Sequence, residues 1–267
     1  QLSELGFAEE DQRIFEKLIV SPHGIFLVTG PTGSGKSTTL YSALLTINSS
    51  ETSIITLEDP IENEIRDISQ VQVKSEIGLS FSAGLRHILR QDPDVIMVGE
   101  IRDLETAEIA VQAALTGHLV FSTLHTNDSA SSITRLADMG IEPYLISSTV
   151  IGILAQRLVR VLCDRCKVPL ELDEEERKSL GLLKGKVFSE RGCSDCRDTG
   201  YQGRNGIFEL MAIDEEISEA ISSGRNALEL KGLAKAKGMR TLREDGLEKV
   251  SSGSTSLHEV NRVTGLV

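Results

Sequence analysis

Gly30-Pro31-Thr32-Gly33-Ser34-Gly35-Lys36-Ser37 is the stretch on which the reading of the fold turns. Two glycines separated by four residues, then Lys and Ser, make the pattern of a phosphate-binding loop, provided that a strand precedes it and a helix follows. Upstream, Ile25-Phe26-Leu27-Val28 is the short apolar run of a buried parallel strand; downstream, Leu40, Ala43, Leu44 and Ile47 recur at helical spacing. Gly30, Gly33 and Gly35 permit positive φ and a close approach of backbone N–H groups to phosphate oxygens, with Pro31, Thr32, Ser34 and Thr38 completing the cradle. The helix starting near Lys36 adds free N–H groups and the positive end of its dipole. Lys36 is placed to reach the β- and γ-phosphates, and Ser37 to coordinate Mg²⁺. A glycine-rich surface turn would leave the flanking strand and helix unexplained. The stretch predicts a nucleoside triphosphate site.

Working outward, residues 9–20 carry Ile14, Phe15, Leu18 and Ile19 on one helical face, broken at Ser21-Pro22-His23-Gly24. A second buried strand, Ile54-Ile55-Thr56-Leu57, runs into Glu58-Asp59-Pro60-Ile61-Glu62. Residues 82–90 predict a helix with Arg86 and Arg90 at i and i+4. An apolar strand, Val95-Ile96-Met97-Val98, is closed by Gly99-Glu100; residues 104–115 predict a helix capped by Gly117. Leu119-Val120-Phe121-Ser122-Thr123 is a further strand, leading into Leu124-His125-Thr126-Asn127. Strands alternating with helices of about a dozen residues give an α/β fold, a mostly parallel sheet flanked by helices. From residue 128 the periodicity is helical (Ile133, Leu136, Ala137) until Gly140; residues 151–162 lead to a cysteine pair, and an acidic patch at 171–176 precedes a second pair and a mainly helical tail. The expected organisation is an ATPase-like core over 1–160, a tetracysteine subdomain over 161–200 and a helical C-terminal subdomain over 201–267.

Phosphate-loop chemistry needs an acid near Mg²⁺ and a group that orients or deprotonates water. Glu100 follows an apolar strand, where the second phosphate-loop motif carries its acid, and Glu58 and Glu62 end a neighbouring strand. Glu100 is the expected Mg²⁺-shell acid and Glu62 the water-polarising one; on sequence the two roles are exchangeable. Arg86, Arg90 and Arg102 are candidates for charge on the γ-phosphate, from the same chain or a neighbour, against the plainer reading of a surface i,i+4 pair. His118 and His125 flank a strand; each taken alone reads as a structural histidine.

Cys163-Asp164-Arg165-Cys166 and Cys193-Ser194-Asp195-Cys196 are two C-x₂-C knuckles. Together they supply four thiolates, the set of a closed, structural Zn²⁺ site. Iron–sulfur clusters use other spacings, and a redox dithiol would leave one knuckle idle.

Composition bounds the rest. The 267 residues carry a net charge of −12, 40% hydrophobic, 25% charged and 4% aromatic residues, with no basic tract. That argues against a surface built to neutralise a nucleic-acid backbone. No apolar run approaches the roughly 18 residues that span a bilayer. The first residue is Gln, which suggests a fragment of a longer chain.

These motifs, in this order, resemble the secretion ATPase superfamily, specifically the assembly ATPases of type II secretion and type IV pili. Residues 30–39 match its phosphate loop, Leu57-Glu58-Asp59-Pro60-Ile61-Glu62 its aspartate box, residues 94–103 (DVIMVGEIRD) its second phosphate-loop motif and residues 115–127 (LTGHLVFSTLHTN) its histidine box; residues 154–158 (LAQRL) and Gly200-Tyr201-Gln202-Gly203-Arg204 complete the pattern. The resemblance implies a RecA-like core binding ATP and Mg²⁺, with Glu62 as catalytic glutamate and His118 and His125 carried over. It also implies Zn²⁺ on the cysteines, a homohexamer, and a cytoplasmic motor peripheral to the bacterial inner membrane that acts on platform proteins through N-terminal domains missing here. Pilus retraction ATPases lack a tetracysteine unit, so the resemblance is to the assembly and secretion branch, and leans towards pseudopilus assembly in type II secretion over pilus extension. A nucleic-acid translocase shares the core but sits poorly with the acidic charge. A small-molecule phosphotransferase would need an acceptor pocket and lid for which no signal is present.

Overall fold

In the computed structural model, residues 2–181 and 185–265 are described; the ends of the 1–160 and 201–267 divisions, and part of the loop between the cysteine pairs, lie outside the described residues. The first helix is α1 (Glu9–Leu18), followed by β1 (Gly24–Thr29), whose six residues are all buried. Then come α2 (Lys36–Ile47), β2 (Ile54–Glu58), β3 (Ser69–Gln72), α3 (Phe81–Ile88), β4 (Val95–Val98), α4 (Leu104–Leu115) and β5 (Leu119–Leu124). After α5 (Ala130–Asp138) and α6 (Pro143–Thr149) the chain returns to the sheet as β6 (Val150–Leu162). The small hairpin partners β7 (Val168–Pro169) and β8 (Phe188–Ser189) bracket α7 (Glu174–Leu180), and β9 (Tyr201–Ala212) precedes α8 (Glu215–Ser222), α9 (Ala227–Ala236), α10 (Leu242–Ser251) and α11 (Leu257–Thr264).

Seven strands form one sheet in the order β3-β2-β4-β5-β1-β6-β9, parallel throughout except for the antiparallel β6–β9 pair. The apolar runs of β1, β2, β4 and β5 are buried on both faces, as a parallel sheet covered by helices requires. One face packs β-strand residues such as Leu27, Leu57, Ile96 and Val120 against Leu85, Ala110, Ile133, Ile146, Ile217 and Leu230 from α3, α4, α5, α6, α8 and α9. The other packs Phe26, Val28, Met97 and Phe121 against Phe15 of α1 and Leu40 and Leu44 of α2. A third cluster seats Leu242 and Val250 of α10 and Val260 of α11 on Ala155 and Val159 of β6 and Ile207 of β9.

Two features depart from the sequence-based organisation. The sheet does not end near residue 160: β9, counted in the helical tail by its sequence, pairs along β6 from Gly152↔Ala212 to Leu162↔Tyr201. Ser69–Gln72, a stretch to which no sequence expectation attaches, forms the polar edge strand β3. The tail helices α8 and α9 also share the core of the main sheet.

Candidate functional site

In parallel α/β sheets ligands bind beyond the carboxyl ends of the strands. There, the loop after β1 turns into α2. Gly30 has φ +146°, and a Cβ on it would lie 2.4 Å from the Gln156 carbonyl; Gly35, the N-cap of α2, has φ +86°. Both positions therefore require glycine. Lys36 Nζ donates to the carbonyls of Gly30 (2.9 Å) and Pro31 (3.1 Å). Burial pushes its ammonium below the usual lysine range, with Glu100 opposing that and Arg157 adding to it. Ser34 Oγ is buried without a hydrogen-bond partner among the described residues, and Thr39 Oγ1 donates to Gln156 Oε1 (2.7 Å), tying α2 to β6.

A cavity of about 520 Å³ opens in front of this loop. Thr32, Gly33, Gly35, Lys36, Ser37 and Thr38 line one side; Glu58 and Glu62 from the end of β2, Glu100 and Arg102 beyond β4, and His125 beyond β5 line the other. Parallel register explains the convergence, since β2, β4, β5 and β1 end level with one another. Buried Thr29 holds the segment after β5 in place: its hydroxyl contacts the Leu124 carbonyl (3.0 Å) and receives the Thr126 N–H (2.9 Å), flanking His125.

The three acids differ. Glu100 accepts from Arg102 and from His125 Nε2 (3.2 Å), and the Arg102 bond holds its carboxyl below the usual range against partial burial. Glu58 is buried among Tyr41, whose hydroxyl donates to Oε2, Thr56 (2.6 Å) and Gln70 (3.0 Å). Burial, and then the bond to Glu58, push the Tyr41 hydroxyl up to about 12. Glu62 is exposed, and its carboxylate has no partner among the described residues.

Six of the expected nucleotide-site residues are not in the cavity lining. His118 sits at the start of β5, its Nδ1 near the Ala113 carbonyl (2.9 Å) and Thr116 Oγ1 (3.2 Å), so the length of the strand, roughly 20 Å, separates it from the phosphate loop. Arg86 pairs with Glu105 at 2.7 Å on the surface, and Arg90 is exposed just past α3. Gly30, Pro31 and Ser34 shape the loop from behind rather than lining the cavity. Conversely, Arg204 of β9, Asp59 and Thr123 line the cavity without having been assigned a role. Arg204 and Arg157 fall inside strings quoted for the family resemblance, but a lone arginine in a strand carries no spacing signal.

At the far end of β6, the sulfurs of Cys163, Cys166, Cys193 and Cys196 all lie within 4.8 Å of one another. The Cys163–Cys193, Cys166–Cys196 and Cys193–Cys196 separations are 3.9, 3.8 and 3.7 Å. A tetrahedron with Zn–S bonds of about 2.3 Å has edges of about 3.8 Å, so the donor set fits zinc. The backbone N–H groups of Cys193 and Gly200 both point at the Cys196 sulfur (3.2 Å each), which favours a thiolate there. Lys167 Nζ to the Gly253 carbonyl (3.2 Å) and His258 to Glu190 (2.9 Å) tie this unit to the C-terminal helices.

A phosphate loop at the carboxyl edge of a parallel sheet, faced by acids from the adjacent strand ends, defines an α/β P-loop nucleotide-site protein. Within that class the chain belongs to the Type II/IV secretion system protein family, whose profile matches residues 1–262. It is 54% identical over 267 residues to type II secretion system protein E of Aeromonas hydrophila, covering 99% of this chain and 53% of that protein. It is 52% identical over 265 residues to the type IV pilus assembly ATPase PilB of Thermus thermophilus, covering 97% of this chain and 30% of that protein. Among solved structures, the pilus retraction motor PilT with bound ADP superposes with a TM-score of 0.74 at 30% identity, over 98% of this chain and 66% of that one. The chain thus spans about half the length of the type II relatives it matches.

Proposed function

We propose that the chain is the nucleotide-hydrolysing part of a motor that drives pseudopilus assembly in type II secretion. The observation that carries this reading is the convergence of the Gly30–Ser37 loop with Glu58, Glu62 and Glu100 on one cavity. In the reading, loop amides and Lys36 hold the phosphates of ATP, and Ser37 with Glu100 holds Mg²⁺, whose charge offsets that developing on the phosphate oxygens. The donors suit the ion: a hydroxyl and a carboxylate kept ionised by Arg102. A carboxylate so paired is a weak base, so Glu62, exposed and unpaired, orients the attacking water. Arg86 and Arg90 act on a neighbour's phosphates in a hexamer, and His125 steadies Glu100. Zinc on the four cysteines is structural: the thiolates leave no open position for water. The motor works in the cytoplasm, peripheral to the inner membrane, and engages platform proteins through parts of the protein outside this chain; no helix among the described residues is long and apolar enough to cross a membrane.

Pilus extension is the second reading, favoured by the relatives named as type IV pilus assembly ATPases at 52% and 48% identity. Lys36→Ala tests the shared core of both. Hydrolysis should fall to background while the circular dichroism spectrum and unfolding midpoint stay put. Wild-type turnover by that variant would overturn the site assignment. Stimulation of the wild type by DNA at physiological salt would replace the secretion reading with a translocase.

A further inference from the structure

Glu62 stands on the segment that joins β2 to β3, which has no regular structure. An exposed carboxylate there points wherever its backbone is held. One side chain spans that backbone. Gln70 of β3 accepts the Ile65 N–H on Oε1 (2.7 Å), and its Nε2 donates to both the Asn63 carbonyl (3.0 Å) and Glu58 Oε1 (3.0 Å). The reverse amide orientation would set donors against the Ile65 N–H and an acceptor against two oxygens, so only one orientation satisfies the contacts. The far post, Glu58, is fixed in turn by Thr56 and by Tyr41, which stands on α2 directly after the phosphate loop. The backbone amides of Asn63 and Glu62 also face the Tyr41 oxygen. Glu62 and the residues just after it, Asn63 and Ile65, are thereby tied to the buried end of β2 and to the helix that presents Lys36.

We propose that Gln70 is a positioning residue for Glu62, clamping the backbone just after it, at Asn63 and Ile65, so that the Glu62 carboxylate faces the cavity. The inference rests on the reading of Glu62 as the water-orienting acid. Gln70 touches no substrate; it acts through the segment. A displacement of about 1 Å in a catalytic group can cost on the order of 10²-fold in rate, so losing the clamp should be felt in turnover and not in nucleotide affinity.

The test uses Gln70→Leu, of similar size on a partly exposed edge strand, and Gln70→Glu, which keeps the acceptor for Ile65 but sets a second carboxylate against Glu58. Both should lower kcat by at least tenfold, approaching ~10²-fold, with the dissociation constant for ADP within about twofold of wild type. Amide exchange at Ile65 should accelerate, while exchange at the phosphate loop should not. In a Glu62→Gln background, Gln70→Leu should cost nothing further. Unchanged kcat in both single variants, or an equal further loss in the Glu62→Gln background, would overturn the positioning role. Full turnover by Glu62→Gln alone would remove both the Glu62 assignment and this inference. Loss of ADP binding in all variants would instead indict the fold.

Discussion

Glu259 has no exposed side-chain surface, yet it meets two arginines: it accepts from the Arg160 backbone N–H (3.0 Å) and Nη2 (2.7 Å), and from Arg262 Nε (2.8 Å) and Nη2 (2.7 Å). Burial raises its carboxyl pKa, but the arginine bonds outweigh that and bring it to about 2. The unfolded value is about 4.3, so the folded state prefers the ionised form. The resulting stability is complete above the unfolded value and is lost as pH falls from there through about 2. Glu259→Gln, which removes the charge and leaves two arginines facing an amide, should cost about 3 kcal/mol at neutral pH. Denaturant midpoints measured from pH 7 downward should converge with the wild type as pH approaches about 2; a gap independent of pH would refute the ionic account. Residues of this kind show the limit of reading a site from sequence. Fixed spacing or a strand end singled out Lys36, Ser37, Glu58, Glu62 and Glu100, and all five line the cavity; His125 lines it too, but alone it read as a structural histidine and only the family resemblance singled it out. Tyr41 and Gln70 were not legible, because what marks them is a shared partner, Glu58, on another element, and nothing within a window of sequence announces such a pairing; Arg204 lines the cavity from β9 with no spacing signal of its own.

At the scale of elements, legibility follows burial. Strands β1, β2, β4 and β5 are short and apolar because both faces are covered, and α4 is bounded by Asp103, whose carboxylate caps the Thr106 N–H (2.8 Å), and by Gly117. Strand β3 is polar because it is an edge; β9 follows buried Tyr201 with exposed Gln202, Gly203 and Arg204, and the buried Glu209 interrupts its apolar run of Ile207, Phe208, Leu210 and Met211. The cysteine unit was legible from spacing alone, but its docking was not. The Leu162 N–H reaches the Ser254 carbonyl (2.9 Å) and Lys167 reaches that of Gly253, so the unit is pinned to the loop between α10 and α11, while Arg160 stacks over Tyr201 (4.1 Å) across β6 and β9. Elemental analysis should give one zinc per chain. Zinc binding contributes on the order of 10 kcal/mol to such a unit, so chelation should expose residues 163–200 to protease and lower the unfolding temperature. ADP binding at the distant cavity should survive at moderate temperature. A metal-free chain that is equally resistant would defeat the assignment.

For the whole molecule, the placement of the arginines decides whether one chain suffices. The cavity has Arg102 and Arg204 of its own, but Arg102 is engaged with Glu100. Arg86 and Arg90 are exposed and lie outside the lining, so under the proposed function they serve a neighbour's site. Arg86 and Glu105 are each 54% exposed, and an exposed pair contributes only about 0.2–1 kcal/mol, so a partner's phosphate competes easily for that guanidinium. An arginine supplied by a neighbour can raise hydrolysis by about 10³–10⁵-fold. Two consequences separate this arrangement from a self-sufficient chain. Specific activity should climb steeply with protein concentration as chains associate. A mixture of Lys36→Ala, which keeps the arginines but lacks the phosphate-binding lysine, with Arg86→Ala/Arg90→Ala, which has the reverse defect, should hydrolyse ATP when neither does alone. Recovery requires an intact cavity on one chain to face intact arginines on the next, which cannot occur within a single subunit. Concentration-independent turnover, or full activity of Arg86→Ala/Arg90→Ala on its own, would return both arginines to the role of surface charges.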